Sequence, residues 1–406
     1  MGDGSHALRR TGPIADIRSQ SYLKASISPL LYEGDSSIRP PPSAIMTFGK
    51  FFLPGPTEVK PEILATMTRP MISHRGSEIE TMMARIDERL QKVFRTSQPV
   101  FTVTSSATGL MEGGVRNAVK SRLLCLINGA FSKRFHKAAV NSGIACDKLE
   151  IEFGAAHTPD MLADALKKNQ YDVVSVVHSE TSTGVLNPIR ELTEVAHSSG
   201  DVVMVIDTVS SMAAAPIECS AWDLDYVLTG SQKAIALPPG LAFCTANERV
   251  MERAKASKMR GLYFDLVEIH SSWTKHQSPN TPGVSLLYAL DAQLEQMMNE
   301  GMEARWARHA DMAKRTWSWV DEQRNKGRDI RVLAPEGYRS PAVTCISAPA
   351  GKTGPQIVSA MKAKGFVITP GYGDAKDAMI RIGHMGEHTV DELDVLLDVL
   401  DGVLAS

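Results

Sequence analysis

The sequence predicts an α/β fold, in which a large domain with a mostly parallel sheet covered by helices is followed by a smaller α+β domain. From Phe48 onward, apolar runs of strand length alternate with amphipathic helical segments. Such alternation is typical of a parallel sheet covered on both faces. After about Ala246 the pattern changes to a long helical stretch and then to mixed strands and helices. A chain of 406 residues is long enough to form both domains.

We expect the chain to divide into three segments. Residues 1–46 contain Pro40-Pro41-Pro42, several Ser and Gly and no sustained periodicity, and we interpret them as a disordered extension or as sequence upstream of a start at Met46. A targeting peptide is the alternative, although acidic residues and the lack of an apolar run count against it. Residues 47–300 would form the large domain and residues 301–406 the small C-terminal domain.

The elements of the large domain follow from periodicity and turn signals. Apolar side chains at helical spacing predict a helix over residues 78–94. Thr158 and Pro159 predict the start of another helix, because threonine is a good N-cap and proline suits the first turn. Strands are predicted over residues 99–104, 121–127, 147–153, 173–178, 202–207, 226–230 and 240–245, and further helices over residues 109–119, 133–141 and 189–198.

The C-terminal part begins with one long helical stretch, residues 285–319, which would link the two domains. The small domain is expected to mix strands and helices and to close with a helix over residues 390–400. Its other predicted elements lie at residues 331–333, 342–347, 355–364, 366–369 and 379–382.

Composition and charge exclude several functional classes. The formal net charge of −2 does not favour binding to nucleic acid or to an anionic membrane surface. No apolar run approaches the roughly 20 residues that span a bilayer. The five cysteines stand singly, without the C-x-x-C spacing of a zinc site and without the pattern of a disulfide framework. We therefore expect no metal, no nucleic-acid or membrane partner, and a cytoplasmic location.

The most informative segment runs from Tyr226 to Gly240 and presents Lys233 where a buried strand ends. An apolar run ends in Gly-Ser-Gln, and after the lysine the chain turns on Pro238-Pro239-Gly240. Loss of hydration there would lower the pKa of the lysine, so that the amine could act as a nucleophile and carry a proton. An ammonium is rarely buried without a function.

A carboxylate ends a second apolar strand, since residues 202–206 are followed by Asp207. A buried carboxylate needs a partner, which a protonated pyridine nitrogen would provide and which a structural Arg or Ser would provide equally well. A lysine that bonds to an aldehyde and an aspartate that faces a ring nitrogen are the two groups that a pyridoxal phosphate (PLP) enzyme most needs.

Other strand ends carry groups that suit the same cofactor, because ligands of open α/β sheets lie at the carboxyl ends of the strands. Ser106 and Thr108 open a helix whose N–H groups could hold a phosphate, although Ser or Thr there also serves as an ordinary cap. Phe131 could stack on a planar ring or belong to the core. The hydroxyls of residues 179–184 could reach a ligand, or they form a polar turn.

Near the C-terminus, Arg381 stands in a short apolar strand. Its guanidinium is well matched to a substrate carboxylate, and a salt bridge to a local Asp or Glu is the alternative. His384 is better explained as a core or turn histidine.

Motifs of competing chemistries are missing from the sequence. We find no G-x-G-x-x-G after the first strand and no G-x-x-x-x-G-K-[ST] loop. There is also no H-E-x-x-H and no G-x-S-x-G elbow.

Taken together, these segments resemble the class V, fold-type I PLP aminotransferases of the alanine/serine–glyoxylate group. The resemblance covers the chain from Phe52 to Leu400 and agrees in order and spacing. It implies a large domain with a seven-stranded, mostly parallel sheet, PLP as the cofactor, and a homodimer whose active site lies at the subunit interface. The matching segments are Leu53–Thr57, Ser73–Arg75, Ser105–Gly109, Glu112, Asn128–Phe131, Ser179–Gly184, Asp207–Ser211, Gly230–Lys233, Pro238–Gly240, Asn280–Pro282 and Arg381–Gly383.

The resemblance also implies a role for individual residues. Lys233 would bond covalently to the cofactor and move the substrate proton, Asp207 would pair with the ring nitrogen, and Arg381 would bind the substrate carboxylate. Further cofactor contacts are implied for the phosphate (Ser106, Ala107, Thr108 and Gln232), for the ring faces (Phe131 and Val209), for the phenolic oxygen (Thr181) and for the phosphate of the neighbouring subunit's cofactor (Thr281). Some relatives place a phosphate-binding Tyr where this chain has Ser278.

The reaction that this resemblance implies is ping-pong transamination from a small amino acid, alanine or serine, to glyoxylate or a pyruvate-type keto acid. Transamination of 2-aminoethylphosphonate with pyruvate is the main alternative, for which Arg75 and Arg260 could supply cationic groups. Cysteine desulfuration would need a mobile loop cysteine, whereas the C-terminal candidate Cys345 lies in an apparent strand. A non-catalytic protein that uses the same fold is a further alternative, which Lys233 argues against.

Overall fold

The computed structural model describes residues 48–405 of the chain, so the predicted extension over residues 1–46 lies outside the described residues. The helices are α1 (Pro61–Thr66), α2 (Ser77–Phe94), α3 (Ala107–Ala118), α4 (Ser132–Asn141), α5 (Pro159–Leu166), α6 (Ile189–Ser198), α7 (Glu248–Ala256), α8 (Leu266–Trp273), α9 (Val284–Glu300), α10 (Met302–Asn325), α11 (Gly354–Ala363) and α12 (Val390–Ala405). The strands are β1 (Val100–Thr104), β2 (Arg122–Ile127), β3 (Ala145–Glu150), β4 (Val173–Val177), β5 (Ser179–Glu180), β6 (Val185–Leu186), β7 (Val203–Asp207), β8 (Tyr226–Gly230), β9 (Leu241–Ala246), β10 (Val343–Ser347), β11 (Thr369–Pro370) and β12 (Met379–Gly383).

Seven strands form the central sheet, in the order β1-β9-β8-β7-β4-β2-β3. The pairs from β8 to β3 are parallel, whereas β9 runs antiparallel to both of its neighbours. Because β1 and β8 both oppose β9, they run in the same direction, and the carboxyl ends of six strands lie at one edge. The predicted α/β fold with a seven-stranded, mostly parallel sheet is confirmed.

Side chains of the central strands alternate between two apolar layers. In β7, Met204 and Ile206 belong to one buried cluster, and Val203 and Val205 belong to the other. Helices α2, α5, α6 and α9 contribute to the first cluster, and α3, α4, α7 and α8 contribute to the second. Covered faces explain why these strands are apolar at consecutive positions.

Strands β8 and β9 form a hairpin whose loop, residues 231–240, carries Lys233. Ser231 closes this loop at its base, because its N–H donates to Leu241 O at 2.9 Å and its hydroxyl donates to Pro238 O at 2.7 Å. The hairpin therefore holds the lysine at the edge where the parallel strands end.

A second, three-stranded sheet has the order β10-β12-β11 and is antiparallel throughout. It packs with α10, α11 and α12 around an apolar cluster of its own, to which Met312, Ile380 and Leu397 belong. Arg381 lies in β12, the middle strand of this sheet.

Three details of the predicted elements are wrong. The continuous helical stretch over residues 285–319 is broken at Gly301, whose φ of +82° suits glycine and ends α9 before α10 begins. Residues 331–333 make one bridge, from Val332 to Ile346, rather than a strand. The element predicted over residues 366–369 starts as a strand only at Thr369, because Val367 pairs instead with Phe51.

Among residues 48–405, no helix combines the length and the apolar character that are needed to cross a membrane.

The central sheet gives a direct test of the two apolar layers. Val176 in β4 is fully buried, whereas Val140 in α4 is 53% exposed. We expect Val176→Ala to lower the free energy of unfolding by about 2 kcal/mol, since it removes buried methyl groups and leaves a cavity. The matched Val140→Ala should change it by less than about 0.5 kcal/mol. Chemical or thermal denaturation measures both, and equal losses would contradict this description of the core.

Candidate active site

The carboxyl ends of the parallel strands surround one cavity of about 310 Å³. Nine of the sequence-predicted site residues line it, and they lie at the end of β7 or in the segments that directly follow β1, β2, β5, β7 and β8. A pocket of this size, with a few polar groups in an apolar wall, is typical of a small-molecule site. The nine residues are Ser106, Ala107, Thr108, Phe131, Thr181, Asp207, Val209, Gln232 and Lys233.

Lys233 is the buried amine of this cavity, with 8% of the residue exposed. Its Nζ donates a hydrogen bond to Pro54 O and lies 6.0 Å from the centre of the Phe131 ring. Burial lowers the pKa of Lys233 to about 8, although the nearby Asp207 partly opposes this shift. A minor but appreciable share of the amine is therefore neutral near physiological pH, far more than for an exposed lysine, and this neutral form can act as a nucleophile or base.

The close approach of Lys233 to the backbone depends on Gly55. This glycine has a φ of +93°, and a Cβ built on it would overlap Nζ and Cδ of the lysine. Any other residue at this position would strain the backbone and displace the amine. The motif Leu53–Thr57 thus shapes the cavity, although the sequence analysis assigned it no function.

Asp207 lies at the end of β7 with 4% of the residue exposed. Its Oδ1 accepts a hydrogen bond from Val209 N at 2.7 Å. Burial raises the pKa of Asp207 to about 7, in spite of that hydrogen bond and with a contribution from the charge of Glu180. Within residues 48–405 no salt bridge involves Asp207, so its charge lacks the structural partner that the sequence had left open.

The amino end of α3 forms another part of the wall. Ser106 is the N-cap residue, but its side chain makes no capping hydrogen bond. The alternative left open by the sequence, that the Ser106 hydroxyl is an ordinary helix cap, is therefore not what the structure shows. Free N–H groups, two hydroxyls and the positive end of the helix dipole favour an anion at this end of the cavity.

An arginine that the sequence analysis missed stands beside this helix end. Arg134 lines the cavity, and its Nη1 donates to Thr108 Oγ1 at 3.3 Å. The guanidinium lies 4.9 Å from the centre of the Phe131 ring. The signal in the sequence that could have indicated this arginine is its position in α4, one helical turn after Phe131.

The loop that carries Phe131 is held by a fully buried carboxylate, Glu180. Its oxygens accept hydrogen bonds from the N–H of Phe131 at 3.2 Å and from both the N–H and the hydroxyl of Ser132 at 2.9 and 3.0 Å. The hydroxyl of Ser182 donates to the same carboxylate at 2.6 Å. Five donors in all, counting Ser182 N, satisfy the buried charge and fix the ring of Phe131 at the cavity wall.

Arg381, in the second sheet, is not one of the residues that line the cavity, but it contacts the lining residue Thr181. Its Nη1 donates to Thr181 O at 3.3 Å and its Nε to Pro370 O at 3.0 Å. Tyr372 covers the guanidinium at 5.4 Å and contacts the ring of Phe131, also at 5.4 Å. Among the described residues no Asp or Glu forms a salt bridge with Arg381, so the local ion pair that the sequence allowed is not present.

Thr281 lies outside this cavity and lines a second, smaller one together with Tyr263 and Ser278. The hydroxyl of Ser278 donates to Asn280 O at 2.6 Å. The predicted contact of Thr281 with a neighbouring subunit stays a prediction, because the structure describes one chain.

The raised pKa of Asp207 predicts how stability depends on pH in the cofactor-free protein. Its folded-state pKa of about 7 exceeds the ordinary value of 3.8, so between these values the folded protein binds a proton that the unfolded chain has lost. The free energy of unfolding, measured relative to Asp207→Asn, should therefore fall as pH rises from about 4 to 7. Denaturation of both proteins over this range measures the difference. A difference that does not vary with pH would show that the carboxyl is not buried as described.

The chain is similar in sequence to several known proteins. A protein from Methanocaldococcus jannaschii described as an uncharacterized aminotransferase is 34% identical over 82% of this chain and 87% of its own length. The L-aspartate–glyoxylate aminotransferase of Paracoccus denitrificans is 30% identical, with 83% of this chain and 86% of that protein covered. The serine–glyoxylate aminotransferase of Arabidopsis thaliana is 29% identical, with 87% and 88% covered.

Among solved structures, pyridoxamine–pyruvate aminotransferase from Mesorhizobium loti superposes with a TM-score of 0.83 at 26% identity, covering 91% of this chain and 94% of that one. The sequence description of the class-V aminotransferases matches residues 61–389. A match over most of the chain, together with a buried lysine and aspartate at the strand ends, shows that this protein belongs to the class-V aminotransferases.

Proposed function

We propose that the protein catalyses PLP-dependent transamination from a small amino acid, alanine or serine, to glyoxylate or a pyruvate-type keto acid. The observation that carries the proposal is the cavity in which Lys233, Asp207 and the amino end of α3 face one another. The three groups match an aldehyde, a ring nitrogen and a phosphate, respectively. The named relatives, which transfer amino groups to glyoxylate, support the choice of acceptor.

The residues present fit PLP on structural grounds. Among the residues that the structure describes, the carboxylate of Asp207 has no cationic partner at salt-bridge distance. The hydroxyl of Ser106 does not cap its own helix, and Gly55 places no side chain against the amine of Lys233. Ser106, Ala107, Thr108 and Gln232 would hold the phosphate, Phe131 and Val209 the two ring faces, and Thr181 the phenolic oxygen. Bound there, PLP would supply a ring that takes up the negative charge formed at the substrate Cα.

The chain's own groups would do the remaining work. Lys233 Nζ, with its pKa lowered by burial, would remove the proton from the substrate Cα and deliver it to the former aldehyde carbon, on the other side of the nitrogen that joins the two. Asp207 would keep the ring nitrogen protonated. Arg381 would orient the substrate through its carboxylate, and the apolar wall around Phe131 would limit access of water.

Two alternative reactions receive less support from the geometry. A phosphonate donor would need extra cationic groups, but neither Arg75 nor Arg260 lines the cavity, and Arg134, which does, stands beside Thr108 at the end proposed for the cofactor phosphate. The guanidinium of Arg260 is taken up by Asp265 at 2.8 Å, and that of Arg75 by the backbone near Ser278. For desulfuration, Cys345 is buried in β10 and burial raises its pKa to about 12, which is the opposite of a mobile, reactive thiolate.

We also propose that the working unit is a homodimer, in which Thr281 reaches the cofactor phosphate of the partner subunit. Large apolar side chains beside Thr281 support an interface there. Leu262 is 86% exposed and Tyr263, which shares the cavity of Thr281, is 40% exposed. Apolar residues grouped in this way are typical of surfaces that bind another protein.

A cytoplasmic location is proposed from the cysteines. All five are free, and four of them are buried. Unpaired cysteines are typical of a reducing compartment.

The half-reaction tests the proposed chemistry. We expect the purified protein with PLP to show the visible absorbance band of a lysine-bound cofactor and to lose it on addition of alanine or serine, with formation of the keto acid. Lys233→Ala should abolish turnover, since both the covalent link and the proton carrier are lost. Lys92→Ala, which changes an exposed lysine of α2 that pairs with Glu88 and lines no part of the cavity, serves as a control that should keep both the band and the turnover. Turnover by Lys233→Ala without an added amine, or a preference for 2-aminoethylphosphonate, would contradict the proposal.

Substrate binding by Arg381 has its own test. Arg381→Ala should raise KM for carboxylate donors by about 10- to 100-fold, because a charge-assisted pair is lost. Arg381→Lys keeps the charge but loses the two-pronged geometry, so its KM should lie between those of the unaltered protein and Arg381→Ala. Steady-state kinetics measures all three proteins. An unchanged KM would mean that Arg381 only supports the carbonyls of Pro370 and Thr181.

A further inference from the structure

A buried arginine of α10, Arg305, binds the loop that carries the catalytic lysine. Its side chain is 1% exposed, and its Nη2 donates to the carbonyl of Ala234, the residue after Lys233, at 2.7 Å. Arg305 lies more than seventy positions away in sequence and lines no part of the cavity. The family resemblance gave it no role, and nothing in its own helix requires a charge at a buried position.

The hydrogen bond from Arg305 to Ala234 O is one of three that hold consecutive backbone carbonyls of the Lys233 loop. The carbonyls of residues 232, 233 and 234 each accept a hydrogen bond from outside the loop. Thr57 supplies two of them, from its N–H to Gln232 O at 3.0 Å and from its hydroxyl to Lys233 O at 3.0 Å. The backbone on both sides of the lysine is thus fixed by two separate segments, one before the central sheet and one in α10.

Two carboxylates also bind the Arg305 guanidinium, one of them through the same Nη2 that donates to Ala234 O. Glu387 accepts from Nη2 at 2.6 Å, and Glu300 accepts from Nη1 at 2.6 Å. Burial alone would raise the pKa of Glu387, but the charges of Arg305 and of Lys60, 3.1 Å away, hold it well below its ordinary value. The carboxylate is therefore ionised, and it also accepts from Gln293 Nε2 at 2.8 Å.

Glu387 lies four residues beyond the end of β12, the strand that carries Arg381. One guanidinium therefore ties the Lys233 loop to the segment that follows the proposed carboxylate-binding strand. Neighbouring contacts hold the same segment, since Arg308 Nη1 donates to Gly386 O at 3.0 Å and Gly386 N donates to His309 Nε2 at 3.2 Å.

We propose that Arg305 is a positioning residue for transamination, which sets the distance between the amine of Lys233 and the guanidinium of Arg381. Proton removal at the substrate Cα needs both groups at the correct distance, because the amine of Lys233 must reach the proton while the guanidinium of Arg381 holds the carboxylate. A displacement on the order of 1 Å between such groups lowers the rate by about a hundredfold. This inference rests on the proposed function, because it assigns Arg305 to the same reaction.

Arg305→Lys is the central variant, because lysine keeps the positive charge beside Glu387 and Glu300 but cannot reach both carboxylates and the Ala234 carbonyl with a planar fork. Arg308→Lys is the matched control. It lies one turn further along α10 and shares Glu300 at 2.7 Å, but its other partners are the carbonyls of Gly386 and His388. It makes no hydrogen bond to the Lys233 loop.

Two measurements separate positioning from simple stabilisation. The pH titration of the visible absorbance of the bound cofactor reports the environment of the Lys233 nitrogen, and the half-reaction rate with alanine reports proton removal. We expect Arg305→Lys to shift that titration and to lower kcat by about tenfold or more, with a smaller change in KM. Arg308→Lys should leave the titration where it is in the unaltered protein.

A third variant, Thr57→Val, protects the test against misfolding of the arginine variants. It removes the hydrogen bond from the Thr57 hydroxyl to Lys233 O while keeping the shape of the side chain, so it should shift the same absorbance titration. The thermal midpoint of each variant is measured alongside to show that it is folded. Parallel losses of thermal midpoint and kcat in Arg305→Lys and Arg308→Lys, with no spectral shift in either, would overturn the role of Arg305. Failure of the unaltered protein to react with any amino acid would instead overturn the proposed function.

Discussion

The central constraint of this structure is a buried amine held beside a buried carboxyl. Lys233 and Asp207 leave adjacent parallel strands, β8 and β7, and both are desolvated by the apolar layers of the sheet. Their pKa values are shifted toward each other, to about 8 and about 7. Neither group reaches the other with a salt bridge, so each is available to the proposed cofactor.

The surrounding polar groups serve mainly to hold this pair in place. The carboxylate of Glu180 accepts hydrogen bonds from the Phe131 loop, and the guanidinium of Arg305 donates to the Ala234 carbonyl while it pairs with Glu300 and Glu387. Buried charges are tolerated only where hydrogen bonds or opposite charges satisfy them, and here the partners include backbone groups of the cavity loops. The second sheet contributes Arg381 in the same way, through carbonyls at Thr181 and Pro370.

Local patterns were sufficient to predict the central strands and the groups at their ends. Apolar runs of strand length followed by Ser106, Asp207 or Lys233 are properties of neighbouring residues, and parallel strands bring such ends to one edge. The break at Gly301 was missed because a single glycine is compatible with a helical pattern. Gly55 and Arg305 were missed for another reason, since their partners lie 70 or more positions away and leave no periodic trace. Contacts across such separations are specified by the tertiary structure alone.

The reversed strand β9 has a consequence for motion. Because the chain returns to the sheet directly after residue 240, both ends of the lysine loop are anchored in paired strands, and Ser231 locks the base. The main chain around the amine is therefore almost without freedom. In the proposed reaction, the movement that carries the proton across the nitrogen between the two carbons would come from rotation about the four methylene groups of the lysine stem, so the fold would confine this movement to a single side chain.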